Sequence, residues 1–456
     1  MKEICLCSMA ASQPLSVSTA QRGVRINSVV RSRLLHCSGA CRLSRNALRR
    51  IVMTVDTEQA TTLRNTVMDQ LRADGVLVTP EVEAAMRKVP RHAFAPEAPL
   101  EKVYEPYAAV VTKTDEYGVQ ISSVSAPQIQ AMMLEQAKLQ PGMRVLEVGS
   151  GGLNAAYMAE LVGDGGEVTT VDIDPEVTER GRRLLDEQGY KSVRVVTADA
   201  AEPIPGLGEV DVIMVTAGAW DVPVAWLDQL APEGRLVVPL RMRGLTRSVA
   251  FVRRGGHLES ESAKICGFVP MQGATAHEVK LLLVASSPEI GLRFDDGIPI
   301  EPSQLDNAVT TPRVELWTGV TIGRGELLDT LQMHLAIGLP GFCIMVLDKE
   351  LDSGIVAPTN PGFSLAAVEN DSFGYVIYRR TADGENSEFG VHALGAHAQQ
   401  LAEEMAQQLR TWEASRRGGP SPVIRVYPAN TSDDQVHGDR VIDKVHCRIS
   451  LSWPTH

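Results

Sequence analysis

The chain has 456 residues, 44% of them hydrophobic, a length that favours two folded units and a composition typical of a globular protein. Its net charge of −12 divides unevenly: residues 1–52 carry nine Lys or Arg against the single acid Glu3, or +8, which leaves −20 on the rest. A body this acidic repels a phosphate backbone, which excludes nucleic acid as the main partner, and no apolar run approaches the roughly 20 residues of a membrane-spanning helix.

The opening segment is basic, Ser-rich and acid-poor, as transit peptides are, but it lacks an amphipathic stripe. Residues 1–52 are therefore expected to be a disordered or mis-annotated extension, with Met53 as the start of the folded protein. Cys5, Cys7, Cys37 and Cys41 fall in this segment, while Cys266, Cys343 and Cys447 are scattered. No companion His or Cys pair at finger spacing accompanies them, so no metal site is expected, and free thiols point to a reducing cytoplasm.

Apolar Leu63, Val67, Leu71, Val82 and Met86 recur at helical intervals over residues 57–88, and Thr79-Pro80-Glu81-Val82 reads as a helix start. Pro90 and Pro96 bracket an apolar stretch, Arg91 to Ala95, that cannot continue the helix, and a turn-rich region to Ser125 follows. Helical spacing returns over 126–137 with Pro127 in the first turn. Short apolar runs then alternate with amphipathic segments. Strands are expected at 144–148, 167–172, 193–197, 210–216 and 235–239, and helices at 155–161, 175–187 and 224–230. Such alternation implies a parallel sheet with helices on both faces, an α/β fold. Beyond about Pro270 the alternation weakens; strands at 374–380 and 422–427 and a helix at 397–415, with Leu401, Met405, Leu409 and Trp412 on one face, suggest a C-terminal α+β domain. The expected division is a catalytic domain over 53–275 and an accessory domain over 276–456.

The clearest chemical signal is Val145-Leu146-Glu147-Val148-Gly149-Ser150-Gly151-Gly152, an apolar strand that delivers a glycine turn into a helix. Glycine allows left-handed backbone and close ligand approach, and the helix start offers unpaired N–H groups. Asp172 closes the next strand, where an acid can accept from both hydroxyls of a ribose, and Asp199 follows the third, where it could accept from an adenine amino group. The order G-x-G-x-x-G that packs a pyrophosphate is missing. Glu147, just before the glycines, suits a cationic methionyl group better than a diphosphate. The ligand expected is therefore S-adenosyl-L-methionine. Read alone, Ser125 before Ala126-Pro127 is more often a helix N-cap than a catalyst.

Val89-Pro90-Arg91-His92-Ala93-Phe94, Ser125-Ala126-Pro127, the glycine loop, 211–223, Gly234-Arg235-Leu236-Val237-Val238-Pro239 and Phe268-Val269-Pro270-Met271 occur in an order that resembles the protein-L-isoaspartate O-methyltransferases over about residues 60–275. The resemblance implies a Rossmann-like class I methyltransferase sheet with its ligand at the carboxyl strand ends. It implies Ser125 as the active-site hydroxyl beside an aspartyl-type carboxylate, with Ser123, Val124, Ala126 and Ala217 lining the substrate. It implies Glu147, Gly149, Ser150, Gly151, Asp172, Asp199, Ala200 and Thr216 around the donor. Two departures stand out: Leu153 replaces a third glycine, and Gln120 to Ser125 is longer than the family's loop, which makes Ser123 a rival to Ser125.

The long C-terminal region and the altered acceptor loop look like the FxLD-type methyltransferases associated with ribosomally made peptides, lanthipeptides among them. There the same chemistry would act on an aspartate of a modified peptide, by way of a succinimide to aspartate or isoaspartate. The alternatives are repair of L-isoaspartyl residues in damaged proteins and a non-catalytic peptide-docking protein on the same fold. The histidines His334, His392, His397, His437 and His446 show no metal spacing, and Asp295-Asp296 reads as a turn.

Overall fold

The computed structural model describes residues 56–149, 151–284 and 287–454. The expectations for residues 1–52, for Met53 and for Ser150 lie outside the described residues.

The expected N-terminal helical stretch is two helices, α1 (Glu58–Ala73) and α2 (Pro80–Lys88). Thr57 caps α1 by accepting from the Ala60 N–H, and Pro80 occupies the first turn of α2. Pro90 then forces the chain out of the helix into a short 3-10 turn, Arg91–Phe94, and α3 (Leu100–Val103) follows. The region expected to be only turns contains an antiparallel hairpin, β1 (Val110–Thr114) and β2 (Gln120–Val124), closed by Asp115, whose carboxylate accepts from the N–H groups of Tyr117 and Val119. Polar Thr, Lys, Gln and Ser residues fill these strands, so no apolar alternation marks them in the sequence.

The expected alternation is present. It runs α4 (Pro127–Ala137), β3 (Arg144–Val148), α5 (Leu153–Val162), β4 (Glu167–Asp172), α6 (Pro175–Glu187), β5 (Arg194–Thr197), β6 (Val210–Val215), α7 (Val224–Gln229) and β7 (Leu230–Met242). A long hairpin, β8 (Leu245–Arg254) and β9 (His257–Ile265), follows. The remaining elements are β10 (Lys280–Val284), β11 (Ser287–Phe294), β12 (Val314–Gly323), α8 (Asp329–Gly338), β13 (Phe342–Leu347), β14 (Ser364–Glu369), β15 (Ser372–Arg380), β16 (Asn386–Leu394), α9 (Ala398–Ser415), β17 (Val423–Pro428), β18 (Arg440–Asp443) and β19 (Cys447–Ser452). No helix among the described residues is long and apolar enough to cross a membrane.

The chain forms two compact units, one of residues 144–149 and 198–454, the other of residues 56–143 and 151–197. In the first, strands run in the order β18-β19-β17-β9-β8-β7-β6-β3, with β3, β6 and β7 parallel and the neighbours beyond β7 antiparallel. The edge of β9 is covered by β17, where Val426 pairs with Leu258 and the Arg425 guanidinium meets Glu259 at 2.8 Å. The same unit holds a seven-stranded antiparallel sheet, β10-β11-β13-β14-β15-β16-β12. Its helix α9 buries Leu401, Met405, Leu409 and Trp412, the four positions that the sequence spacing singles out. The boundary expected near residue 275 thus falls inside this unit, because the chain leaves the first sheet after β9 and returns to it as β17.

In the second unit β4 and β5 pair in parallel, α5 and α6 pack on them, and α2 packs against α5 with Lys88 and Glu160 paired at 2.6 Å.

Candidate active site

In the first unit, β3 ends in buried Glu147 and passes into Gly149, whose φ of +105° disfavours any side chain. A Cβ at Gly149 would also collide with the Thr216 hydroxyl. That hydroxyl donates to the carbonyls of Val148 at 3.0 Å and Gly149 at 3.1 Å, and the Thr216 N–H donates to Val148 O at 2.7 Å. Thr216 therefore clamps the start of the glycine loop with its side chain.

The chain beyond Thr216 is held as a miniature strand. The Gly218 N–H donates to Val269 O, the Met271 N–H to Gly218 O, the Ala219 N–H to Pro239 O and the Arg241 N–H to Ala219 O. Three motifs distant in sequence, 211–223, 234–239 and 268–271, thus meet around Ala217. Asp199 accepts the Ala201 N–H at 2.9 Å and the Ala274 N–H at 2.7 Å, one on each carboxylate oxygen. Ala200 is buried beside it, its carbonyl accepting from the Trp226 indole at 2.8 Å.

The second unit carries the hairpin and the other half of the glycine loop. Gly151 lies against the Ser123 carbonyl, where an added Cβ would stand 3.9 Å away. Gly152, at φ +83°, caps α5 and packs between Phe94 and Gly181, with a Cβ there 3.3 Å from both. The tight geometry is thus taken by Gly149 and Gly152, and Leu153, the departure noted in the sequence, begins the helix as a buried residue. At the end of β4, Asp172 accepts the Asp174 N–H at 2.9 Å. Asp174 caps α6 and pairs with Lys113 of β1 at 2.6 Å, which ties the hairpin to the Asp172 turn. Burial pushes the Asp174 carboxyl up, but Lys113 and the N–H groups of Glu176 and Val177 outweigh it and hold it below the usual range.

Val124 and Ala126 are buried and Ser123 and Ser125 half-buried. Ser123 faces Val111 in the hairpin ladder, whereas Ser125 lies past its end, at the entry to α4. The Ser125 carbonyl accepts from Arg91 at 2.7 Å, and its hydroxyl makes no hydrogen bond among the described residues. Arg91, 2% exposed, also donates to Val103 O at 2.7 Å and to Gln130 Oε1 at 2.5 Å. Its role was not assigned from sequence. The signal available was an arginine inside an apolar, proline-bracketed stretch, which must be buried and fully hydrogen-bonded.

The family model for protein-L-isoaspartate(D-aspartate) O-methyltransferase matches residues 62–276. Over 230 residues the chain is 36% identical to the protein-L-isoaspartate O-methyltransferase of Hyperthermus butylicus, covering 48% of this chain and 92% of the relative. It is 39% identical over 213 residues to that of Gloeobacter violaceus, covering 45% of this chain and 96% of the relative. The chain belongs to the protein-L-isoaspartate O-methyltransferase family. A solved structure of that name aligns over 86% of the chain and all of its own, at 20% identity and a TM-score of 0.46. Family membership makes the chain a carboxyl O-methyltransferase of the class I α/β fold, with S-adenosyl-L-methionine as methyl donor, and sets aside a docking-only protein. Residues 277–456 lie outside the family match.

Proposed function

We propose that the chain methyl-esterifies an aspartyl-type carboxylate in a peptide or protein, the L-isoaspartyl group for which its relatives are named. More narrowly, we propose that the acceptor is an aspartate of a ribosomally made, modified peptide. The observation that carries the acceptor assignment is Ser125, whose backbone carbonyl is fixed at the entry to α4 by the buried Arg91 guanidinium. The narrower reading is supported by the C-terminal region, residues 277–456, which lies outside the family match and returns to the first sheet as β17.

The residues present fit the donor. Glu147, Gly149, Ser150, Gly151, Asp172, Asp199, Ala200 and Thr216 would hold it, with the carboxylates of Asp172 and Asp199 accepting from ribose and adenine. When bound it supplies an electrophilic methyl group. The acceptor carboxylate is already ionised near neutral pH, so no general base is required of the protein. What remains is positioning: the Ser125 hydroxyl donates to one carboxylate oxygen and leaves the other to react, while Val124, Ala126 and Ala217 exclude water. The next backbone amide nitrogen can then attack the ester carbonyl and expel methanol to give a succinimide, which water opens to aspartate or isoaspartate.

Ser125→Ala is expected to lower kcat/KM roughly 10- to 100-fold, the worth of a hydrogen bond to a charged group, with Ser123→Ala close to the parent. The substrate class is tested by mass spectrometry of matched aspartyl and isoaspartyl peptides, alongside any precursor peptide encoded beside the gene. Methylation confined to simple isoaspartyl peptides would overturn the narrower proposal, and a Ser125→Ala enzyme as active as the parent would overturn the role of that hydroxyl.

A further inference from the structure

Outside the family match, buried polar residues converge on the segment that follows β6. Asp295 is 2% exposed and the Lys444 side chain 0%, so the turn expected at Asp295-Asp296 is also a buried anchor. The Trp220 indole N–H donates to Asp295 O at 3.0 Å and to Asp296 Oδ1 at 3.1 Å. Lys444 Nζ lies 2.5 Å from Asp296 Oδ1 and 4.1 Å from the Trp220 ring centroid, and His277 stacks on the same indole at 3.9 Å. The next residue, Asp221, accepts the Val222 N–H on one oxygen and the His446 N–H on the other, both at 2.7 Å.

We infer that the C-terminal region is a working part of the acceptor side, with Lys444, Asp296 and the His446 backbone acting as positioning groups for Thr216 to Val222. This rests on the proposed placement of Ala217 against the substrate. Only three residues separate Thr216 from Trp220, and Gly218 and Ala219 between them are bonded on both sides, so a shift at Trp220 has no slack in which to be absorbed. A buried ion pair adds little net stability over an apolar contact. Its consequence is geometric, because a single register of this segment satisfies the indole, both aspartates and the lysine together. The region outside the family match therefore sets the position of a loop that lies inside it.

The test uses the full chain and its Lys444→Met and Trp220→Phe variants. The first readout is amide hydrogen exchange, by mass spectrometry, over peptides covering residues 216–222. Lys444→Met is expected to exchange faster there, with protection elsewhere in the first sheet retained; unchanged protection overturns the inference whatever the activity. The second is kinetic, on a peptide that the parent methylates. Both variants are expected to lose about tenfold in kcat, because Thr216 to Val222 are displaced together. Folded variants with parental kcat would overturn it. A parent that methylates nothing tells against the proposed function instead, and the exchange experiment still decides the inference.

Discussion

Replacing Arg91 with methionine is expected to cost about 3 kcal/mol of stability and to lower kcat/KM by about 100-fold or more. Arg91 is almost fully buried, and burial pulls its guanidinium below its usual pKa range. Removing the charge therefore relieves a desolvation cost, which limits the loss. Against that, the carbonyls of Val103 and Ser125 and the Gln130 amide oxygen lose their donor at once, at about 1–3 kcal/mol for each buried acceptor left unpaired. The rate falls along with the stability because one of the three acceptors is the backbone of Ser125. Arg91→Lys keeps the charge but cannot fork to three acceptors, so it should fall between parent and Met. Urea unfolding and steady-state kinetics on the same samples check both numbers. A methionine variant with parental unfolding midpoint and kcat/KM would show that the Arg91 network does not hold the acceptor loop.

Asp172→Ala is expected to leave folding nearly intact and to weaken binding of S-adenosylhomocysteine by about 100-fold or more. Each hydrogen bond from a ribose hydroxyl to a carboxylate contributes about 1.5–3 kcal/mol, and the role proposed for Asp172 is to accept two. The side chain is only half-buried and caps a turn through the Asp174 N–H. Calorimetric titration of parent and variant reads the affinity directly. Equal affinity in the two proteins would remove Asp172 from the donor site and, with it, the physical argument for a ribose at the end of β4.

The catalytic half of the fold is legible in the sequence because its signals are local. β3, β4 and α6 begin and end where the apolar runs, Pro175 and the flanking glycines place them, and α9 buries the four residues that fall at helical intervals. The hairpin β1–β2 is not legible, since Thr112, Lys113, Ser122 and Ser123 give strands without an apolar face. Nor is the return of the chain to the catalytic sheet: Arg425 finds Glu259 across 166 residues, and nothing in the neighbourhood of either names the other.

The site divides in the same way. Glu147, Gly149, Asp172 and Asp199 announce themselves by residue type at strand ends, where backbone geometry limits what they can do. Arg91 has its partners 12, 34 and 39 residues away, so its neighbours in sequence mark it as buried without naming what it holds. Asp295 and Asp296 look like turn formers because their buried partners, Trp220, Arg241 and Lys444, come from three other segments.

That the chain moves a methyl group from S-adenosyl-L-methionine onto a carboxylate is tested most directly by following labelled methyl from the donor into an isoaspartyl peptide and its aspartyl counterpart. A carboxyl ester releases its label as volatile methanol on mild base treatment, which amide and amine methylation do not. The account predicts base-labile label on at least one of the two peptides, lost in the Asp172→Ala protein. Label that is stable to base, or none on either peptide from a folded protein, would contradict it.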